Sequence, residues 1–196
     1  MSGSGHCLFD TAIGAVGIAW SDAGIAGVNL PEATPAATRR RLLARHPDLP
    51  EAEPPPAIQA IIDRIVALVG GELIDLSDAP LDRTALPDFH ARVYDVALSI
   101  RPGETLTYGE VARRIGEPGA AQAVGQALGK NPWPIIVPCH RVLAAGGRTG
   151  GFSANGGIET KLRLLTIERA RTAGAPTLFD GDPAFGLAAR PGTGRR

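Results

Sequence analysis

The stretch Asn131-Pro132-Trp133-Pro134-Ile135-Ile136-Val137-Pro138-Cys139-His140-Arg141-Val142 constrains this chain more than any other, because it joins an apolar run to a polar cluster across a proline. Pro138 fixes its own φ and drives Val137 toward an extended conformation, so the Cys139 thiol is presented from a rigid backbone. A free thiol with a pKa of about 8.5 is only slightly ionised at neutral pH, so a nucleophile here needs a neighbouring base or a positive field. His140 and Arg141 are adjacent. Side chains of adjacent residues on a strand point to opposite faces, so His140 reaches the sulfur only across a turn or through a water. Spacing alone fits a buried structural thiol beside a satisfied histidine equally simply, and favours that reading.

With 196 residues, 44% of them hydrophobic, the chain has material for one large core or two small ones. It contains no apolar stretch of the roughly 20 residues that a membrane span needs, and no basic flank leading into an apolar N-terminal core, which predicts a soluble, cytoplasmic protein. Cys7 and Cys139 are the only cysteines, and neither has a second cysteine nearby. A disulfide framework is therefore not expected, and with His6, His46 and His90 in no ligand spacing, neither is a metal site or other cofactor. The zero net charge conceals a division: residues 1–100 hold 7 basic against 13 acidic side chains, while residues 101–171 hold 10 against 5. The basic half is a candidate polyanion surface, although an unequal scatter of solvated charge produces the same count.

The pattern predicts a small α/β scaffold over residues 1–86. Two β-like runs, Ile13–Trp20 and Ile25–Leu30, flank the turn-forming Ser21-Asp22-Ala23-Gly24. A helix over Thr34–His46, a proline-interrupted segment, a second helix over Ala57–Val69 and a short strand at Leu73–Leu76 follow. In the second helix Ile58, Ile61, Ile62, Ile65, Val66 and Val69 share a face. A second, mainly helical unit over 87–171 begins at Asp88 as N-cap, with Phe89, Val93, Val96, Ala97 and Ile100 facing inward. Thr107-Tyr108-Gly109-Glu110 fits a capping box that opens a short helix to Ile115. The turn Gly116–Gly119 leads into a helix over Ala120–Lys130, so the pair suggests a helix-turn-helix. In its second helix Ala121, Gly125 and Gly129 lie four apart beside a polar stripe of Gln122, Gln126 and Lys130. Glycine inside a helix costs about 1 kcal/mol, so something must approach that face. Either a neighbouring helix packs on it, which pattern alone favours, or it enters a groove. Residues 172–196, rich in Gly and Pro, read as a flexible tail in which Thr177-Leu178-Phe179-Asp180 is a candidate docking segment.

The stretch from Pro87 to Glu168 resembles the O6-alkylguanine-DNA alkyltransferases, also called methylated-DNA–protein-cysteine methyltransferases. The resemblance rests on Ile136-Val137-Pro138-Cys139-His140-Arg141-Val142, supported by Gly103–Tyr108, Ala123-Val124-Gly125, Asn131-Pro132 and the helix Lys161–Glu168. It implies an N-terminal RNase H-like α/β domain with a β-hairpin and a C-terminal winged helix-turn-helix domain. It further implies that Cys139 attacks the alkyl carbon on guanine O6 and keeps the group as a thioether, so that the protein is consumed. His140 would take the thiol proton through a water, Glu168 would orient the imidazole, Asn131 would brace the site and Tyr108 would protonate the departing guanine. The nucleotide would be flipped out of double-stranded DNA and held through the Val142 backbone and Ser153. Ala121, Gln122, Gly125, Gln126, Lys130 and Arg141 would face the DNA, with the recognition helix in the minor groove. The helix start at Tyr108 is also suited to a phosphate. The partner would be alkylated duplex DNA, bound by a monomer.

Two positions depart from the family pattern. Gln122 stands where an arginine usually fills the gap left by the flipped base; it can still hydrogen bond there but lacks the charge and some of the reach. The loop Gly150–Gly157 carries Phe152 where some relatives have tyrosine and is about two residues longer. Two other readings stand beside the transferase: a lesion-recognition module without chemistry, a class in which the nucleophilic cysteine is replaced, and a winged-helix regulator with a structural or redox-sensing Cys139. The regulator accounts for the charge division but gives no reason for the Pro-Cys-His-Arg cluster.

Overall fold

The computed structural model describes residues 3–151 and 157–170. It has an α/β fold, with a small sheet in the first half and helices dominating the second. The hairpin predicted from the turn at Ser21–Gly24 forms between β2 (Gly14–Ser21) and β3 (Gly24–Asn29). A strand that the pattern did not announce, β1 (Gly5–Thr11), pairs antiparallel with the other side of β2 in the register Gly5↔Trp20 to Thr11↔Gly14. Its alternation is obscured because both faces are covered: Cys7 and Phe9 pack on the main core, while the polar His6, paired with Ala19 on the opposite face, is 3% exposed. The outer edge of β1 is met by residues 50–52, since His6 N donates to Pro50 O and Ala52 N donates to His6 O.

Central strand β2 is covered on both faces. Val16, Ile18 and Trp20 enter the main core, while Gly17 and Ala19 face the side on which α1 (Pro35–Leu43) lies. That side is built for close approach: a Cβ on Gly27 would stand 2.5 Å from His46 Nε2. Thr34 caps α1 by accepting from Ala37 N, so the helix begins one residue later than predicted, and it ends at Leu43, short of the predicted His46. Helix α2 (Pro56–Val69) buries Ile58, Ile61, Ile62, Ile65 and Val69, but Val66 is 38% exposed, because six apolar positions span more arc than the contact needs. The expected strand at Leu73–Leu76 is absent. Leu76 is buried and Ile74 packs on the core, yet the segment finds no strand to pair with and runs as irregular chain.

Helix α3 (Asp88–Leu98) is capped by Pro87, not Asp88, which sits instead in the first turn where its charge suits the helix dipole. Val93, Ala97 and Ile100 are buried as predicted, together with Tyr94, whose hydroxyl donates to Ala127 O at 2.8 Å. The predicted capping box is present: Thr107 accepts from Glu110 N, and the Glu110 carboxylate accepts from Thr107 N at 2.6 Å. The carboxylate thus occupies the start of α4 (Tyr108–Arg114), where a phosphate was expected. Helix α4 packs on α5 (Ala121–Gly129), and both contact α3. The two-residue strands β4 (Leu106–Thr107) and β5 (Val142–Leu143) pair in parallel and tie the start of α4 to the end of the Pro-Cys-His-Arg segment. Helix α6 (Gly157–Ile167) packs against that segment.

The halves share one continuous hydrophobic core. Trp133 fastens the segment preceding the cysteine to the sheet: its indole Nε1 donates to Ile25 O at 2.6 Å, while Val28 N donates to Pro132 O at 2.8 Å. No helix among the described residues is long and apolar enough to cross a membrane.

Candidate active site

The backbone before Cys139 is set by Asn131. Its Nδ2 donates to Val137 O at 2.8 Å and its Oδ1 accepts from Trp133 N at 2.9 Å, which closes the apolar run into a loop. Within that loop Ile135 adopts φ +76°, a left-handed conformation costly for a β-branched residue and held here by burial to 1% exposure. Pro138, at φ −81° and ψ 66°, then forms a tight turn in which Cys139 N donates to Val137 O at 2.8 Å. Cys139, His140 and Arg141 form one 3-10 turn. Successive side chains there stand about 120° apart rather than on opposite faces as in a strand.

Cys139 is 8% exposed and lines a cavity of 780 Å³ between the halves. Burial pushes its thiol up, against a hydrogen bond from Asn131, the positive charge of Lys161 and the backbone N–H groups of Cys139 and His140. His140 is 1% exposed, and its Nε2 lies 2.9 Å from Glu168 Oε1. Burial holds the imidazole below its usual pKa despite the Glu168 carboxylate, so the ring is neutral at pH 7. With Nε2–H donating to the carboxylate, Nδ1 carries the free lone pair, and this buried atom has no hydrogen-bond partner among the described residues. Burial pushes Glu168 up, but hydrogen bonds and charge from His140 and Arg141 prevail and hold it down at about 2.

Arg141 corrects an expectation. Instead of facing DNA it is 5% exposed, with Nε and Nη2 clamping both oxygens of Glu168 at 2.7 and 2.8 Å and Nη1 donating to Ile100 O at 2.5 Å. The guanidinium fork matches a carboxylate edge, and inside a three-residue turn no periodicity reveals which way it points.

The other predicted residues divide. Tyr108, Ala121, Gln122, Gly125, Gln126 and Asn131 line the same cavity as Cys139, as does Gly129. The small face of α5 thus lines the cavity, and its contact with a neighbouring helix is loose: among the described residues a Cβ on Gly125 would meet the Tyr108 ring at the start of α4, at 3.8 Å. Lys130 is exposed at the end of α5 but outside this lining. Tyr108 Oη donates to Gly151 O at 3.4 Å, and burial, then Cys139, raises its pKa so that the phenol keeps its proton. Val142 is buried and its carbonyl accepts from Lys161 Nζ at 2.6 Å. Ser153, Phe152 and the tail from Arg171, including Thr177–Asp180, lie outside the described residues. Sequence reasoning missed Arg41 and Arg45, which reach the cavity from the first half, and assigned no role to Lys161. The arginines announce themselves by no motif, because only folding places their segment opposite α5.

A family model for the DNA-binding domain of 6-O-methylguanine DNA methyltransferase matches residues 88–170. The methylated-DNA–protein-cysteine methyltransferase of Mycobacterium tuberculosis is 47% identical over 126 residues, which are 64% of this chain and 74% of that protein. A Thermus thermophilus protein named DNA base-flipping protein is 38% identical over 139 residues, 71% of this chain and 91% of its own. The crystal structure of M. tuberculosis OGT in complex with DNA matches with a TM-score of 0.68 at 36% identity, covering 86% of this chain and 94% of that one. On this fold, this site and these relatives, the chain belongs to the methylated-DNA–protein-cysteine methyltransferase family.

Proposed function

We propose that the protein repairs alkylated DNA by moving the alkyl group from guanine O6 irreversibly onto Cys139. The observation that carries this reading is a neutral His140 whose Nε2 is committed to Glu168 while its buried Nδ1 lacks a partner among the described residues, one residue from a thiol facing a cavity. In the reaction the Cys139 proton passes to His140 Nδ1 through a water, the sulfur electron pair forms the S–C bond and the C–O6 bond breaks. Tyr108 gives its proton to the departing guanine, and Glu168 stabilises the imidazolium as it forms. Asn131 braces the loop. The flipped nucleotide is held by the Val142 backbone and by Ser153.

In the same reading residues 1–86 are an RNase H-like scaffold, 87–171 the winged helix-turn-helix and alkyl-acceptor domain, and 172–196 a tail; the extent of the family match supports the middle boundary. Helix α5 enters the minor groove of duplex DNA with Ala121, Gly125 and Gly129 against it and Gln122, Gln126 and Lys130 beside it. The protein works as a cytoplasmic monomer. Loss of O6-methylguanine from a duplex, followed by chromatography of the digested DNA, tests the reaction. One lesion lost per protein, with none lost to Cys139→Ala, is expected; catalytic turnover, or equal loss with the variant, overturns it.

Gln122 carries a separate expectation. It is exposed on α5 at the cavity wall. Gln122→Arg adds a charge and reach toward the orphaned base, and tightens binding to lesion-bearing duplex by about fivefold, ~1 kcal/mol, at low salt. Titration of the two proteins with labelled duplex checks this, and unchanged or weaker binding means that the glutamine is not a weaker substitute for arginine.

A further inference from the structure

Lys161 is buried beside the site and unused by the mechanism above. It projects from α6 with 0% exposure, donates to Val142 O at 2.6 Å and holds its ammonium 5.7 Å from the centre of the Tyr108 ring. Among the described residues no carboxylate pairs with it. Glu168, the acidic group of this cluster, is taken up by Arg141 and His140. A buried cation without a counter-charge is costly, and such a cost persists where the charge is matched during function.

Composition sharpens the point. Of 20 basic residues only Lys130 and Lys161 are lysines. A chain that uses arginine nearly everywhere has an ammonium at its one buried cationic position without an acidic partner among the described residues. The compact ammonium suits a pocket that offers one carbonyl and one aromatic face, which would leave most of a guanidinium's five donors unpaired.

We propose that Lys161 is a positioning residue for alkyl transfer, a fixed buried cation that supports the Cys139 thiolate from behind the Val142 carbonyl and the Tyr108 ring. The inference rests on the transferase reading. Cys139, His140 and Tyr108 are the titratable groups facing this ammonium, with the Glu168–Arg141 pair beyond them. The charge draws the Cys139 thiol down, which favours the thiolate; it also lowers His140, which keeps the imidazole neutral before transfer but works against the imidazolium, so its contribution lies at the sulfur. Burial in turn pulls Lys161 down to about 8, while Cys139 holds it up. Before the proton moves, the cluster of Lys161, Arg141 and Glu168 carries one net positive charge; once the thiolate forms and before alkyl transfer, the ammonium has its partner.

The test uses the full chain and needs no lesion. The rate of Cys139 alkylation by iodoacetamide, read by peptide mass against pH so that Cys7 is resolved separately, gives the thiol pKa in the wild type, Lys161→Met and Lys161→Arg. The methionine variant is expected to raise that pKa by about one unit and slow alkylation at pH 7 about tenfold, and arginine, which keeps the charge but not the fit, to recover only part of the shift. An unchanged thiol pKa in Lys161→Met overturns the proposal, even if transfer from DNA falls. Should the methionine variant fail to fold, carbon NMR of labelled lysine in wild type and Cys139→Ala decides, because the chain has two lysine signals and Lys130 serves as the exposed reference. Lys161 is expected to titrate higher when the thiol is present; the same midpoint in both proteins overturns the proposal. Failure of the DNA reaction with a normal thiol shift would instead count against the transferase reading.

Discussion

Glu168→Ala is expected to lower stability by about 3–5 kcal/mol and to abolish transfer, the largest effect of any single side chain in the site other than the nucleophile. The carboxylate is 2% exposed and accepts from His140 and from two nitrogens of Arg141. Removing it leaves the Arg141 guanidinium buried with only the Ile100 carbonyl, and frees the imidazole to turn. Urea denaturation measures the first consequence and single-turnover lesion loss the second. The same ion pair sets an acid limit. The folded-state pKa of Glu168, about 2, lies below its ordinary value of 4.5, so the group stabilises the fold above pH 4.5 and the contribution is lost as pH falls from there through 2. A depression of that size corresponds to roughly 3 kcal/mol. Glu168→Gln removes this titration, so its stability should fall less than that of the wild type between pH 5 and 2. A wild-type stability that stays flat across that window contradicts the assignment.

Asn131→Leu ranks second. The substitution keeps volume but strands the buried Trp133 N and takes one of two donors from Val137 O, which keeps Cys139 N, so a loss of about 2–3 kcal/mol is expected. The loop it closes holds Ile135 in a strained conformation and also presents the sulfur, to which the asparagine hydrogen bonds. Transfer should therefore fall beyond what unfolding explains, and the thiol should require a higher pH to react. Denaturation together with the pH profile of Cys139 alkylation separates the two effects. A variant as stable as the wild type would show that the loop is held by its apolar residues alone.

Much of this arrangement is legible in residue order, for reasons that differ by element. The capping box at Thr107–Glu110 is read correctly because its two hydrogen bonds are local and depend on a spacing of three. The apolar face of α2 is likewise a local periodicity, and only Val66, at its margin, escapes to solvent. Strand β1 escapes the pattern because its partner lies across a turn and a buried His6 on one face breaks the alternation with Cys7 and Phe9 on the other; the run at Leu73–Leu76 reads as a strand, but apolar residues alone do not supply an edge to pair with. In the site, the motif brought Cys139, Asn131, His140 and Glu168 into view. Arg141 faces the opposite way from the expectation because a three-residue turn has no periodic inside. Residue order does not reveal that the face of Ala121, Gly125 and Gly129 lines the cavity, because only folding places the first half opposite it. Lys161 carries no sequence signal beyond its rarity in a chain built on arginine.

The central claim is that Cys139 is the alkyl acceptor, and the intact mass of the protein after incubation with a duplex holding one O6-methylguanine tests it most directly. The account predicts the gain of a single methylene, located by peptide mapping on the fragment containing Cys139, complete at one equivalent and absent in Cys139→Ala. An unmodified protein that still binds the lesion, or a methyl group found on Cys7, would contradict it.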